Sequence, residues 1–171
     1  MLMNKIAISS ASVLLMVAAA ACRPPSEEAR LKGFLKETVA LAEARDIPAL
    51  MARLADDYMD FEGRDKAATE ALVRDYFRRG GIVVHLLGAR VEALDPDGGA
   101  SVEAEVLMSS GAAEVFRKLV RYSGECYRFR FGLRRSPPSS WQLASAAWES
   151  LPLSELLPES LAVLKKLFPD F

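Results

Sequence analysis

The hydrophobic period of this chain changes at Gly80-Gly81, and that change limits what it can fold into. Upstream, apolar residues recur three and four apart, the period of a helix; downstream they alternate, the period of a strand. Ser26-Glu27-Glu28 supplies a cap and an acidic first turn, and Leu31, Phe34, Leu35, Thr38, Leu41 and Ala42 follow at helical spacing. Asp46 caps a second predicted helix, with Pro48 in its first turn and Ile47, Leu50, Met51, Leu54, Ala55 and Tyr58 as its apolar stripe. Gly63 is free to reverse the chain, and Asp65 caps a third helix with Leu72, Val73, Tyr76 and Phe77 inward, stopped by the glycine pair.

Ile82–Leu94 reads as a strand with Val83, His85, Leu87, Ala89, Val91 and Ala93 on one face. Asp95-Pro96-Asp97-Gly98-Gly99 is a turn. Ser101–Met108 alternates again, with Val102, Ala104, Val106 and Met108 opposite Glu103 and Glu105. Ser109–Tyr122 fits either a hairpin extension or a short helix. Glu125–Arg134 places Tyr127, Phe129, Phe131 and Leu133 inward and Arg128, Arg130 and Arg134 outward; Pro137-Pro138 marks a turn before a last strand, Trp141–Glu149. Leu153, Leu156, Leu157, Leu161, Leu164, Leu167 and Phe168 then describe a tail helix with one apolar face, Pro158 in its first turn, and Lys165 and Lys166 at its end. Helices first, long strands next and a helix last predict an α+β fold: N-terminal helices packed on a curved antiparallel sheet, with an extra C-terminal helix.

The first residues are a separate matter. Lys5 precedes a run of 16 residues, Ile6–Ala21, broken only by serines, which is shorter than the roughly 20 needed to span a bilayer. A basic start, a short apolar run and small residues at its end describe a secretory signal. Val17-Ala18-Ala19-Ala20-Ala21-Cys22 resembles the lipobox of bacterial lipoproteins, with Ala19 where that pattern usually has Leu. The resemblance implies cleavage between Ala21 and Cys22, a diacylglycerol on the Cys22 sulfur, a periplasm-facing domain and, because Arg23 rather than Asp follows, the outer membrane over the inner. Ala18-x-Ala20 and Ala19-x-Ala21 also suit an ordinary soluble export signal. The expected organisation is therefore Met1–Ala21 signal, Cys22–Ser26 lipidated Cys and tether, Glu27–Glu149 folded domain and Ser150–Phe171 helical tail. The tether reaches only ~13 Å. An acylated Cys22 leaves Cys126 without an intramolecular partner; an unmodified one permits a Cys22–Cys126 disulfide.

Charge narrows the partners. Lys and Arg number 22 against 23 Asp and Glu, so the chain is no general nucleic-acid binder. One His and two Cys are too few for a zinc site of those ligands, and no metal or cofactor is expected. No phosphate loop, dinucleotide fingerprint or nucleophile elbow occurs.

Ala55-Asp-Asp-Tyr-Met-Asp-Phe-Glu-Gly-Arg-Asp-Lys66, the aromatic end of the third helix, and Trp141-Gln-Leu-Ala-Ser-Ala-Ala-Trp148 resemble the nuclear transport factor 2-like (NTF2-like) superfamily over about Glu27–Glu149. That resemblance implies a cystatin-like cone of helices lying in a bent sheet. It also implies a range of roles, from ketosteroid isomerase and SnoaL-type polyketide cyclases to transport adaptors and lipoproteins, and a sheet through which relatives dimerise.

Three sets of residues are candidates for chemistry. His85, the lone histidine, is placed by its phase on an apolar face as a general base, or as a rim imidazole satisfied by a carbonyl. Asp56, Asp57 and Asp60 offer carboxylates: the isomerase resemblance casts Asp60 with Tyr58 or Tyr127 in proton transfer, whereas the simpler reading has Asp56 and Asp57 solvated and Asp60 fixing the turn at Gly63. Arg128, Arg130, Arg134 and Arg135, with Arg117, Lys118 and Arg121, form either a cationic face for anionic headgroups or an acidic partner, or a solvated face paired with Glu103 and Glu105. Tyr58, Phe77, His85, Tyr127, Phe129 and Trp148 are the pocket candidates. The expected function is a non-catalytic envelope domain, possible as a homodimer, that binds a small apolar ligand or a protein partner. The alternatives are an enzyme using Asp60 and His85 and an assembly component docking through its tail.

Overall fold

The computed structural model describes residues 24–79, 82–110, 124–136 and 140–167. The chain divides into two compact units, Met1–Arg30 and Leu31–Phe171. In the first, Ser26 caps a helix as expected: its Oγ accepts the Ala29 N–H at 3.2 Å and its carbonyl that of Arg30. The leader, Cys22, the Gly80-Gly81 stop, the segment 111–123 and Pro137-Pro138 lie outside the described residues.

The element order is α1 (Glu27–Glu43), α2 (Ile47–Ala52), β1 (Leu54–Asp60), α3 (Lys66–Arg79), β2 (Ile82–Leu94), β3 (Gly99–Ser110), β4 (Gly124–Ser136), β5 (Ser140–Leu151), a 3-10 turn (Leu153–Glu155) and α4 (Pro158–Leu167). The predicted α+β class holds, with helices against a five-stranded sheet ordered β1-β5-β4-β3-β2 and an extra helix at the end.

Two further caps were legible in the sequence: Asp46 Oδ1 accepts the Ala49 N–H at 3.0 Å, and Asp65 Oδ1 that of Ala68 at 2.8 Å. The second helix is shorter than its stripe predicted. It ends at Ala52, and Leu54, Ala55, Tyr58 and Asp60 belong to β1, which pairs parallel with β5. The sheet is therefore not wholly antiparallel. The Arg53 carbonyl accepts the Leu143 N–H and the Ala146 carbonyl that of Phe61, so backbone pairing to β5 outweighs further helix. Leu54 and Tyr58 are buried in either conformation, which is why periodicity misassigned them.

The inner face of the sheet carries Ala100, Val102, Ala104, Leu133, Trp141, Leu143 and Ala146, packed under Leu31, Phe34 and Leu35 of α1 and Met51 of α2. Trp141 and Trp148 are seven apart, an odd spacing that would send them to opposite faces. The register steps from Gly132↔Ser145 to Leu133↔Leu143, so Ala144 is an extra residue and both indoles face inward. A second step, from Leu86↔Val106 to Gly88↔Glu105, reverses the phase of β2 at Leu87. Leu86, Ala89 and Val91 therefore pack on the inner core, while Leu87 and His85 lie on the outer face, a correction to the single face predicted for this strand. Tyr76, predicted inward, is exposed.

The outer face is apolar at one end, where Leu87, Leu107, Cys126 and Leu151 meet Leu156 and Leu164 of the tail. The tail thus lays its apolar face on the chain's own sheet. Gly88 permits the close approach: a Cβ there would stand 2.5 Å from Ser160 Oγ. At the centre Glu105 is fully buried, a correction to the solvated face expected. Its carboxylate accepts Arg128 Nη2 at 2.8 Å and the Leu157 N–H at 2.9 Å, immediately before α4, so β3 caps the tail helix from outside it. Arg128 Nη2 also donates to the Glu155 carbonyl at 2.9 Å.

Glu105→Ala strands Arg128 and the Leu157 N–H without their acceptor, and urea unfolding is expected to show a loss of about 3 kcal/mol. Leu164→Ala, at a fully buried position, is expected to cost about 2–5 kcal/mol in the same assay. Equal stability of both variants and wild type would contradict this account of the tail.

Candidate functional site

The inner face beyond the core is aromatic. Tyr127, Phe129 and Phe131 alternate along β4 and share a face with Trp148 of β5. Phe129 and Phe131 stack with centroids 5.4 Å apart and planes at 12°; Phe129 lies 5.8 Å from Trp148 and 6.3 Å from Tyr127. Phe61 meets Trp148 edge-on at 4.7 Å, and the Arg64 guanidinium covers the same indole at 5.1 Å. The four rings from β4 and β5 are only partly buried and Phe61 is exposed, so the run presents apolar surface rather than sealing it. Three of the six pocket candidates, Tyr127, Phe129 and Trp148, are brought together here.

The other candidates are dispersed. Tyr58 is buried in the core, where loss of hydration and the nearby Asp60 charge push its phenol up to about 12. Phe77, half-buried on α3, lines a groove among the helices. His85 is opposite Leu107 on the outer face of β2. Asp60 is on β1, at the other edge of the sheet, four strand spacings or about 19 Å along it. The acid–base pair of the enzyme reading is therefore not assembled.

Asp60 is also fully engaged. Its Oδ1 accepts the N–H groups of Glu62 and Arg64, both at 2.9 Å, and its Oδ2 accepts Arg64 Nε at 2.7 Å. Burial alone would raise its pKa, but these donors and the Arg64 charge outweigh it and hold the carboxyl below its ordinary 3.8. A base so stabilised as the anion is a poor proton acceptor. The carboxylate fixes the turn through Gly63, whose φ is +76°, as the simpler sequence reading had it. Asp57 pairs with Arg134, which lowers its pKa, and Asp56 with Lys66 at 3.1 Å. The Tyr127 hydroxyl donates to Glu125, which pushes the phenol up to about 12.

On the outer face Arg128 pairs with Glu105 and Glu103, and Arg130 with Glu149 and Glu103, so these cations are matched as the paired reading expected. Cys126 is a free, buried thiol, raised in pKa by burial and by Glu105. Ala21 and Cys22 lie outside the described residues, as do Arg117, Lys118 and Arg121. Among the described residues no helix is long and apolar enough to cross a membrane. Sequence reasoning missed Arg64 and Phe61, which touch Trp148 only because the Asp60 turn folds them back; the Asp60-x-x-x-Arg64 spacing was the one available signal.

No family model matches the chain, and no curated protein matches it. Solved structures do. An NTF2-like protein of unknown function from Pseudomonas putida superposes with a TM-score of 0.59 at 21% identity, over 77% of this chain and 96% of that one. A ketosteroid isomerase-like protein from Erwinia carotovora atroseptica gives 0.54 at 17%, over 75% and 99%. Bd1075 of Bdellovibrio bacteriovorus gives 0.59 at 11% over 72% of this chain, which spans only 40% of that protein's length. The fold is NTF2-like, as the sequence resemblance implied.

Because the folded-state pKa of Asp60 is depressed, its contribution to stability is present above about pH 4 and lost as pH falls through the lowered value. Asp60→Asn is expected to cost about 2 kcal/mol at pH 7 and to flatten the acid limb of a stability–pH profile. An unchanged acid limb would refute the role given to Asp60.

Proposed function

We propose that this chain is a cell-envelope lipoprotein, held through acylated Cys22 at the outer membrane and facing the periplasm, whose NTF2-like domain is a non-catalytic binding module for a small apolar ligand. The carrying observation is the partly exposed run of Tyr127, Phe129, Phe131, Trp148 and Phe61 on the inner face. Rings that remain in contact with water offer hydrophobic surface and stacking geometry to a planar or alicyclic guest. Supporting the binding reading over a proton-transfer one, Asp60 is tied up by Arg64 and two N–H groups, and Glu125 accepts the Tyr127 hydroxyl. The lipid anchor rests on the leader sequence, in which Cys22 follows four alanines. Once the thiol carries diacylglycerol, each buried CH₂ contributes ~0.8 kcal/mol to membrane attachment, so several acyl chains make it stable.

Native mass spectrometry of the protein extracted from membranes tests both halves. The expected species begins at Cys22, carries the mass of a diacylglycerol, and co-purifies with a small apolar adduct that Trp148→Ala removes. Cys22→Ser is expected to retain the leader without lipid. A chain that begins at Cys22 with a bare thiol refutes the anchor, and an adduct unaffected by Trp148→Ala refutes the aromatic site.

A further inference from the structure

The helices carry a second surface, separate from the sheet. α2 and α3 flank an open groove of about 590 Å³ lined by Arg45, Ile47, Ala71, Arg74, Phe77 and Arg78. Three of these side chains are guanidinium groups, three are apolar and none is a carboxylate. The volume falls within the range of small-ligand sites.

Arg45 carries the most information. It closes the end of α1 in a left-handed conformation, φ +56°, with its N–H on the Ala42 carbonyl at 3.1 Å and the Asp46 N–H on the Leu41 carbonyl at 3.0 Å. Glycine is the usual residue in such a turn, because a Cβ there costs roughly 1–2 kcal/mol. Here the position instead holds a long cation at the edge of an apolar floor, and Arg45 has no ion pair among the described residues. Arg74 and Arg78, one turn apart on α3, complete the cationic rim. Each also bonds a carboxylate of its own helix, Glu70 and Asp75, at exposed positions where such pairs are weak. Five N–H donors per guanidinium leave most of their capacity for a ligand.

We propose that this groove binds a single-chain anionic amphiphile, with its carboxylate on Arg45, Arg74 and Arg78 and its alkyl chain along Ile47, Ala71 and Phe77. Guanidinium groups receive a carboxylate in fork geometry. The apolar floor adds an affinity for an alkyl chain that a small hydrophilic anion cannot use, and the cationic rim repels amphiphiles of positive charge. The proposal does not depend on the aromatic site, which lies on the sheet.

The test is photolabelling of the full chain, purified in a neutral detergent, with dodecanoate bearing a diazirine on its alkyl chain. Adducts mapped by mass spectrometry are expected on the peptides that contain Ile47 and Ala71–Phe77. Unlabelled dodecanoate is expected to compete at least about tenfold better than dodecanol or dodecyltrimethylammonium, the effect of charge-assisted hydrogen bonds on affinity. The triple variant Arg45→Gln, Arg74→Gln, Arg78→Gln is expected to abolish that headgroup preference while keeping the wild-type thermal midpoint. Adducts elsewhere, equal competition by dodecanol, or an unchanged preference in the triple variant overturns the proposal. If the triple variant misfolds, the headgroup contrast in the wild-type chain and in Arg45→Gln alone still decides it.

Discussion

A sheet that is apolar on both faces needs cover on both, and this requirement governs the molecule. The N-terminal helices cover the inner face over Val102, Ala104 and Leu133. They cannot reach Leu87, Leu107 and Cys126 on the outer face, so a separate segment must, and the tail does. Its docking is fixed by a polar interaction inside an apolar seam. Glu105 cannot be hydrated there, and its burial would be costly without partners. It has a guanidinium on one oxygen and the first free N–H of the tail helix on the other. Because leucines slide over leucines at little cost, the two directed bonds to Glu105 set where along the sheet the helix starts.

What the sequence disclosed, and what it concealed, follows from the range of the forces involved. Caps at Ser26, Asp46 and Asp65 are local hydrogen bonds, and all three were legible from residue type alone. The strict alternation of β3 and β4 was legible because every second residue must face the core. The failure on β2 lies where one extra residue changes the phase. Leu87 reverses the faces of its strand, and nothing in the residues beside it announces a bulge. That error placed His85 on the wrong face. The parallel pairing of β1 with β5 joins segments far apart in sequence, so Leu54 and Tyr58 were read by their local spacing as helix. The aromatic run was readable as far as β4 and β5 extend, but Arg64 and Phe61 join it through a turn whose shape depends on a buried carboxylate.

The same carboxylate separates fold from function. An NTF2-like arrangement supplies a sheet, a helical layer and an inner face, and it leaves the chemistry to whichever side chains line that face. In this chain Asp60, the acid of the proton-transfer reading, is spent on structure. Three donors stabilise its anion, and the cation that balances it lies over Trp148 instead of facing a substrate proton. The histidine that would complete a pair is at the far edge on the other face. Stacked, partly exposed rings remain on the inner face, and they are the surface on which the proposed binding role rests.

Arg45 applies the reverse logic to the helical surface. A fold seeking only stability would place glycine where α1 turns back, since the backbone there is left-handed. Arg45→Gly is therefore expected to raise stability by roughly 0.5–1 kcal/mol, the relief of αL strain less the entropy glycine adds to the unfolded chain. The same change removes one of the three cations from the rim of the groove. A gain in the unfolding midpoint accompanied by a loss of dodecanoate preference would show that the turn holds strain for the sake of a charge. A gain with no loss would make Arg45 an ordinary, imperfect helix cap and leave Arg74 and Arg78 to carry any affinity alone.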